Sequence, residues 1–211
     1  MVDVWPAVHA ERKALITFLS TLDDNQWEVP SLCEGWTVHD VVAHLVDVAK
    51  TTPMSFVVSF AKARFDIDRE NDHGIAREKG DSPAETLSRF REAVYRKSSP
   101  PAPRTTRLIE AFVHGEDIRR PLGTSGDYPV PALEQSLEYL VKTSVNFGGG
   151  KEYAADLTLA ATDTDTVIGS GPAVHGPVLS LLMAASGRIA ALDELEGPGQ
   201  AKLASRLEAS Q

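Results

Sequence analysis

The stretch RLIEAFVHGEDIRR, residues 107–120, decides the fold and points to the chemistry. On a helix, at about 100° per residue, Glu110, His114 and Asp117 fall at i, i+4 and i+7 on one stripe, nearly opposite Leu108 and Phe112. Ile109 and Val113 border that stripe on one side, Ala111 and Ile118 on the other. An apolar margin on both sides predicts a polar stripe turned inward. A Glu and a His one turn apart can hold one divalent ion, as such pairs do in helical metalloproteins. The wet face of an amphipathic helix has the same spacing, and periodicity alone leaves both readings open.

Working outward, the preceding segments read as helices as well. Val8, Leu15, Leu19 and Leu22 share one stripe of a first helix over about Val4 to Leu22, with Pro6 in its first turn. Thr37 and Asp40 form a capping-box pattern that opens a second helix carrying Val38, Val41, Val42, His44, Leu45 and Val48. Pro53 interrupts it, and the apolar run Phe56 to Phe65 resumes as helix before a charged loop, DIDRENDHG. Ser82, Pro83 and Glu85 start a third main helix; SSPPAP separates it from the 107–120 helix, and Pro131 opens a fifth with Leu133, Leu137, Leu140 and Val141 inward. These segments predict a helical bundle with one crossover through the 66–80 loop. Gly148, Gly149 and Gly150 mark a flexible joint, and the texture changes there. Leu157, Leu159 and Ala161 alternate with polar or small residues, and the turn Asp163–Asp165 leads into Thr166–Ile168, which predicts a hairpin. A short apolar helix, PVLSLLMAAS, follows. The expected division is a bundle over 1–147 and a small α+β domain over 151–211.

The balance of 21 Lys and Arg against 30 Asp and Glu leaves 211 residues with a formal charge of −9, which argues against nucleic acid as a partner. The longest apolar runs are far short of the ~20 residues of a membrane helix. The start MVDVWPAVHAERKAL has no secretory pattern, and the single cysteine excludes an internal disulfide, so a cytoplasmic protein is expected.

PSLCEGWTVHDVVAHL, residues 30–45, together with EAFVHGEDIRRPLG, residues 110–123, resembles the mycothiol-dependent maleylpyruvate isomerase family, a DinB-like group of metal-binding thiol transferases. The tail HGPVLSLLMAASGR, residues 175–188, is similar to that family's small C-terminal domain. The resemblance implies a mainly α, DinB-like helical bundle followed by a small α+β domain. It implies a divalent metal, zinc above all, on His44, Glu110 and His114, with Asp117 in the same pocket and Arg188 reaching a substrate carboxylate. Mycothiol is the implied thiol and a small electrophilic organic molecule the implied substrate; the chemistry is transfer or cis–trans isomerisation. The segment 54–104 carries no aligned motif, and the resemblance says nothing of its role or of the oligomeric state. Asp40 or Asp47, at i−4 and i+3 from His44, is the expected hydrogen-bond acceptor for an imidazole N–H, alongside Asp117.

Other candidates read as structural. Cys33, beside Glu34 and far in sequence from Lys or Arg, is expected to serve packing. Trp36 and Trp27 read as core, Arg119 and Arg120 as solvated, and His175 as ordering a turn; His9, His39 and His73 show no partner pattern. GGGK at 148–151 lacks phosphate-loop spacing, and no serine elbow is present. Two rivals share the stripe: a non-catalytic metal-binding regulatory or stress protein, and a metal-dependent hydrolase.

Overall fold

A computed structural model describes residues 3–210; the part of the N-terminal reading that falls on Met1 and Val2 lies outside them. The chain divides into two compact units, residues 1–127 and 128–211.

In the first unit the helices are α1 (Trp5–Leu19), α2 (Asp24–Trp27), α3 (Val38–Lys50), α4 (Pro53–Lys62), α5 (Ile67–Glu78), α6 (Pro83–Ala93) and α7 (Thr106–Arg119). The Thr37–Asp40 capping box forms as expected: the Thr37 hydroxyl accepts from the Asp40 N–H, and the Asp40 carboxylate accepts from the Thr37 N–H. Every residue from Val41 to Asp47 is buried, so α3 is covered on nearly all sides, packing against α5, α6 and α7 while α1 packs on α7 and α6. Leu15, Leu19, Val38, Val42, Leu45, Phe90 and Ile118 belong to the shared core. Ser82 caps α6 by accepting from the Glu85 N–H.

The expected crossover loop at 66–80 is a helix, α5. Its polar composition hid an inward face: Asp66 caps it by accepting from the Arg69 N–H, Ile75 is buried, Lys50 reaches Glu78 at 2.7 Å, and Arg77 pairs with Asp47. Gly74 permits the close approach, because a Cβ there would sit 2.6 Å from Asp47 Oδ2. The expected interruption at Pro53 is present: α3 ends at Lys50, Pro53 opens α4, and α4 buries none of its residues.

The second unit holds α8 (Val130–Leu140), α9 (Lys151–Ala154), β1 (Thr158–Ala161), β2 (Val167–Gly169), β3 (Ala173–Gly176), α10 (Val178–Ala185) and α11 (Gln200–Glu208). The expected hairpin is present: β1 pairs antiparallel with β2, Leu159 opposite Ile168. β3 adds on the other side of β1 in parallel, so His175 lies in a strand and not a turn. The expected fifth bundle helix is α8, which belongs here instead, because its buried Leu133, Leu137 and Leu140 face an almost wholly buried α10. The division between units thus falls near residue 127, ahead of the glycine run taken as a joint. Gly149 and Gly150 are buried, and Cβ atoms on them would meet the Thr143 and Ala185 carbonyl oxygens at 1.9 and 2.0 Å. They are glycines for close packing, not for flexibility. No helix among the described residues is long and apolar enough to cross a membrane.

Candidate metal and thiol site

The site is built where the 30–37 loop meets the C-terminal half of α7. Pro30 and Thr37 pair as a short antiparallel bridge, the Ser31 hydroxyl donates to the Trp36 carbonyl at 2.8 Å, and the Leu32 N–H donates to the Asp117 carbonyl at 3.1 Å. Gly35, at φ 76°, supplies the left-handed turn that folds this loop. The result sets Cys33 over α7.

There the Cys33 thiol donates to Asp117 Oδ2 at 3.1 Å, and its sulfur lies 3.6 Å from His114 Nδ1. His114 Nδ1 and the same Asp117 oxygen are 2.9 Å apart. An N–H at Nδ1 directed to the carboxylate would leave Nε2 as the ligating nitrogen once a metal displaces its proton, the arrangement that outer carboxylates impose on metal-ligating histidines. Across from it, the His44 ring on α3 meets the His114 ring edge to face, centroids 4.9 Å apart, and the Trp36 ring stands 5.1 Å from His44 and 6.4 Å from His114. Desolvation works against the His114 imidazolium, yet the Cys33 sulfur and the Asp117 carboxylate outweigh it and raise this group to about 10.

The structure therefore brings His44, His114 and Asp117 together and adds Cys33, which the sequence reading had assigned to packing. Among the described residues, Cys33, His114 and Asp117 present ligand atoms all within 4.8 Å of one another. Glu110 is turned elsewhere: its carboxylate is held by Arg107, also on α7, at 3.0 Å. Asp40 and Asp47 do not serve the imidazoles as expected; the first accepts from Thr37 and Lys79, the second pairs with Arg77. Arg119 and Arg120 are not solvated either. Arg119 is buried against Glu11 at 2.6 Å, and Arg120 reaches Glu116 at 2.8 Å. Arg188 lies in the second unit, where its guanidinium donates to the Ser186 carbonyl at 2.7 Å. His39 is buried with Nε2 2.7 Å from the Thr86 hydroxyl.

Residues 8–99 match the mycothiol maleylpyruvate isomerase N-terminal domain family. Two solved structures, a mutant of the mycothiol-dependent maleylpyruvate isomerase and the isomerase itself, superpose with TM-scores of 0.64 and 0.63 at 17% identity, over 93% of this chain and 92% of theirs. No curated protein matches. The chain thus carries, over residues 8–99, a segment similar to the mycothiol maleylpyruvate isomerase N-terminal domain, and along nearly all of its length it shares the fold of the mycothiol-dependent maleylpyruvate isomerase.

Proposed function

We propose that this protein is a metal-dependent thiol S-transferase or isomerase of the maleylpyruvate isomerase type, joining mycothiol to a small electrophilic organic substrate. The observation that carries this reading is the meeting of His44 and His114 with Asp117 behind the second ring. Two imidazoles and a carboxylate suit a divalent ion of borderline softness, zinc first, with a position left for an external ligand. The carboxylate is that of Glu110, one helical turn from His114, released from Arg107. Such an ion favours the thiolate form of a bound thiol, which is the nucleophile.

The chain's own residues do the rest. Asp117 fixes the His114 tautomer and orients the ring. Trp36 walls the two imidazoles on one side. Arg188 is proposed to bind a substrate carboxylate. An acidic chain whose single cysteine is in no disulfide suits a cytoplasmic enzyme whose partners are small molecules rather than nucleic acid or membrane.

Metal content by mass spectrometry tests the site. His44→Ala and His114→Ala are expected to fall well below one equivalent with helical signal intact; full metal in both variants rejects it. Adding mycothiol to the cobalt-substituted protein is expected to produce a sulfur-to-cobalt charge-transfer band that grows with pH, since proton loss accompanies binding.

The clustering of Cys33 with His114 and Asp117 favours a second reading, a closed site with a protein sulfur and no turnover. In that case the cobalt band is present before any thiol is added and disappears in Cys33→Ser.

A further inference from the structure

One turn of α7 before His114, toward the N-terminal end of that helix, lies a small cavity lined by Arg12, Leu15, Leu45, Phe90, Arg107 and Glu110, with room for about one water molecule. Its polar content is unusual. Arg12 on α1 and Arg107 on α7 are each 6% exposed. Arg107 grips Glu110 with both terminal nitrogens, at 3.0 and 3.4 Å. Among the described residues Arg12 makes no ion pair; its guanidinium donates to the Arg96 carbonyl at 2.9 Å. Burial holds it down to about 10, Glu110 acting against that and Arg107 with it, so it remains a cation at neutral pH. Glu11, the other acid on this wall, is already committed to Arg119.

Two buried guanidiniums thus line one cavity in which the Glu110 carboxylate is held by Arg107, against the general rule that a buried charge is closed by its own partner. We propose that Arg12 and Arg107 form a receptor for a carboxylate of the organic substrate, and that the Glu110 carboxylate fills this receptor until it leaves for the metal. The inference rests on the reading of Glu110 as a metal ligand. The space that Glu110 vacates has the size and the donors of a carboxylate, and a guanidinium fork recognises that group through paired N–H bonds. Metal and substrate carboxylate therefore bind in mutual support, since each draws a partner away from the state that excludes the other. The arrangement differs from a static ion-pair network, in which Glu110 would be irreplaceable and an added anion would find no place.

Chemical rescue tests the receptor without any metal. Glu110→Ala in the metal-free full chain opens the space, and acetate is expected to raise its melting temperature well beyond what chloride or phosphate does at equal ionic strength, and beyond its effect on the wild type. Glu110→Ala combined with Arg12→Met or with Arg107→Met is expected to lose the acetate effect. Acetate no better than chloride, or an effect that survives both arginine changes, overturns the proposal; a phosphate effect as large as acetate's replaces the carboxylate by a general anion site and also overturns it. If Glu110→Ala does not fold, Glu110→Ser takes its place, with acetate and maleate binding read by calorimetry. A second arm titrates maleate into zinc-loaded and metal-free wild type, where binding about tenfold tighter in the loaded form is expected, lost in Arg107→Met. Equal affinity in the two forms overturns the exchange. Failure of the wild type to take up zinc, with rescue of Glu110→Ala intact, counts instead against the metal reading.

Discussion

Glu116 and Asp117 are neighbours in sequence, both wholly buried, and yet they live in different chemistry. Glu116 gathers the chain that follows α7: it accepts from Arg120 Nε at 2.8 Å, the Ser125 hydroxyl at 2.9 Å and the Gly126 N–H at 2.7 Å. These donors, a guanidinium, a hydroxyl and a backbone N–H, hold charge and shape. Asp117 instead receives a thiol and an imidazole, groups that exchange protons and bind metals. Burial by itself does not distinguish a structural acid from a chemical one. The identity of the donors does.

The sharpest way to break that contrast is to remove one charge at a time while keeping the shape. Asp117→Asn retains an acceptor for His114 Nδ1 and is expected to weaken zinc binding about 10- to 100-fold by competition with a chromophoric chelator, with little change in melting temperature. Glu116→Gln is expected to do the reverse, costing about 2–3 kcal/mol in urea denaturation while zinc affinity stays within error. Swapped outcomes would mean that the contrast has been drawn the wrong way round. Thr37→Ala is expected to cost about 1 kcal/mol through loss of the α3 cap, again without a change in zinc affinity, and shows how much a purely structural hydrogen bond is worth in this unit.

The smallest expected effect concerns Glu11, buried against Arg119 and raised from 4.5 to about 7, desolvation outweighing the pairing. The folded protein keeps a proton there that the unfolded chain releases. Its contribution is therefore complete below about pH 4.5 and lost as pH rises through about 7. Glu11→Gln is expected to flatten that part of the stability–pH curve, read from melting temperatures; an unchanged slope would show Glu11 to be ionised in the folded state.

The 107–120 helix and the Thr37 cap were legible because periodicity and capping are local. His44 opposite His114 was not, since no spacing within either helix says that α3 and α7 face each other; family resemblance supplied that pairing. Cys33 was missed because its partners, 81 and 84 residues away, are reached only through the Gly35 turn. Arg12 offered a local signal that went unread: it sits four residues after Val8 and three before Leu15, on the stripe those residues bury. α5 was mistaken for a loop because its inward face is made of ion pairs, which leave no apolar period.

α3 is enclosed by its neighbours while α4, the next helix, buries none of its own residues. In heavy water the two should run on separate clocks: α4 amides exchange through local fraying, whereas those of Val41 to Ala49 wait for the first unit to open as a whole. A ligand held through His44 slows only the second clock, so deuterium uptake along α3 reports occupancy of the site without any assay of the reaction.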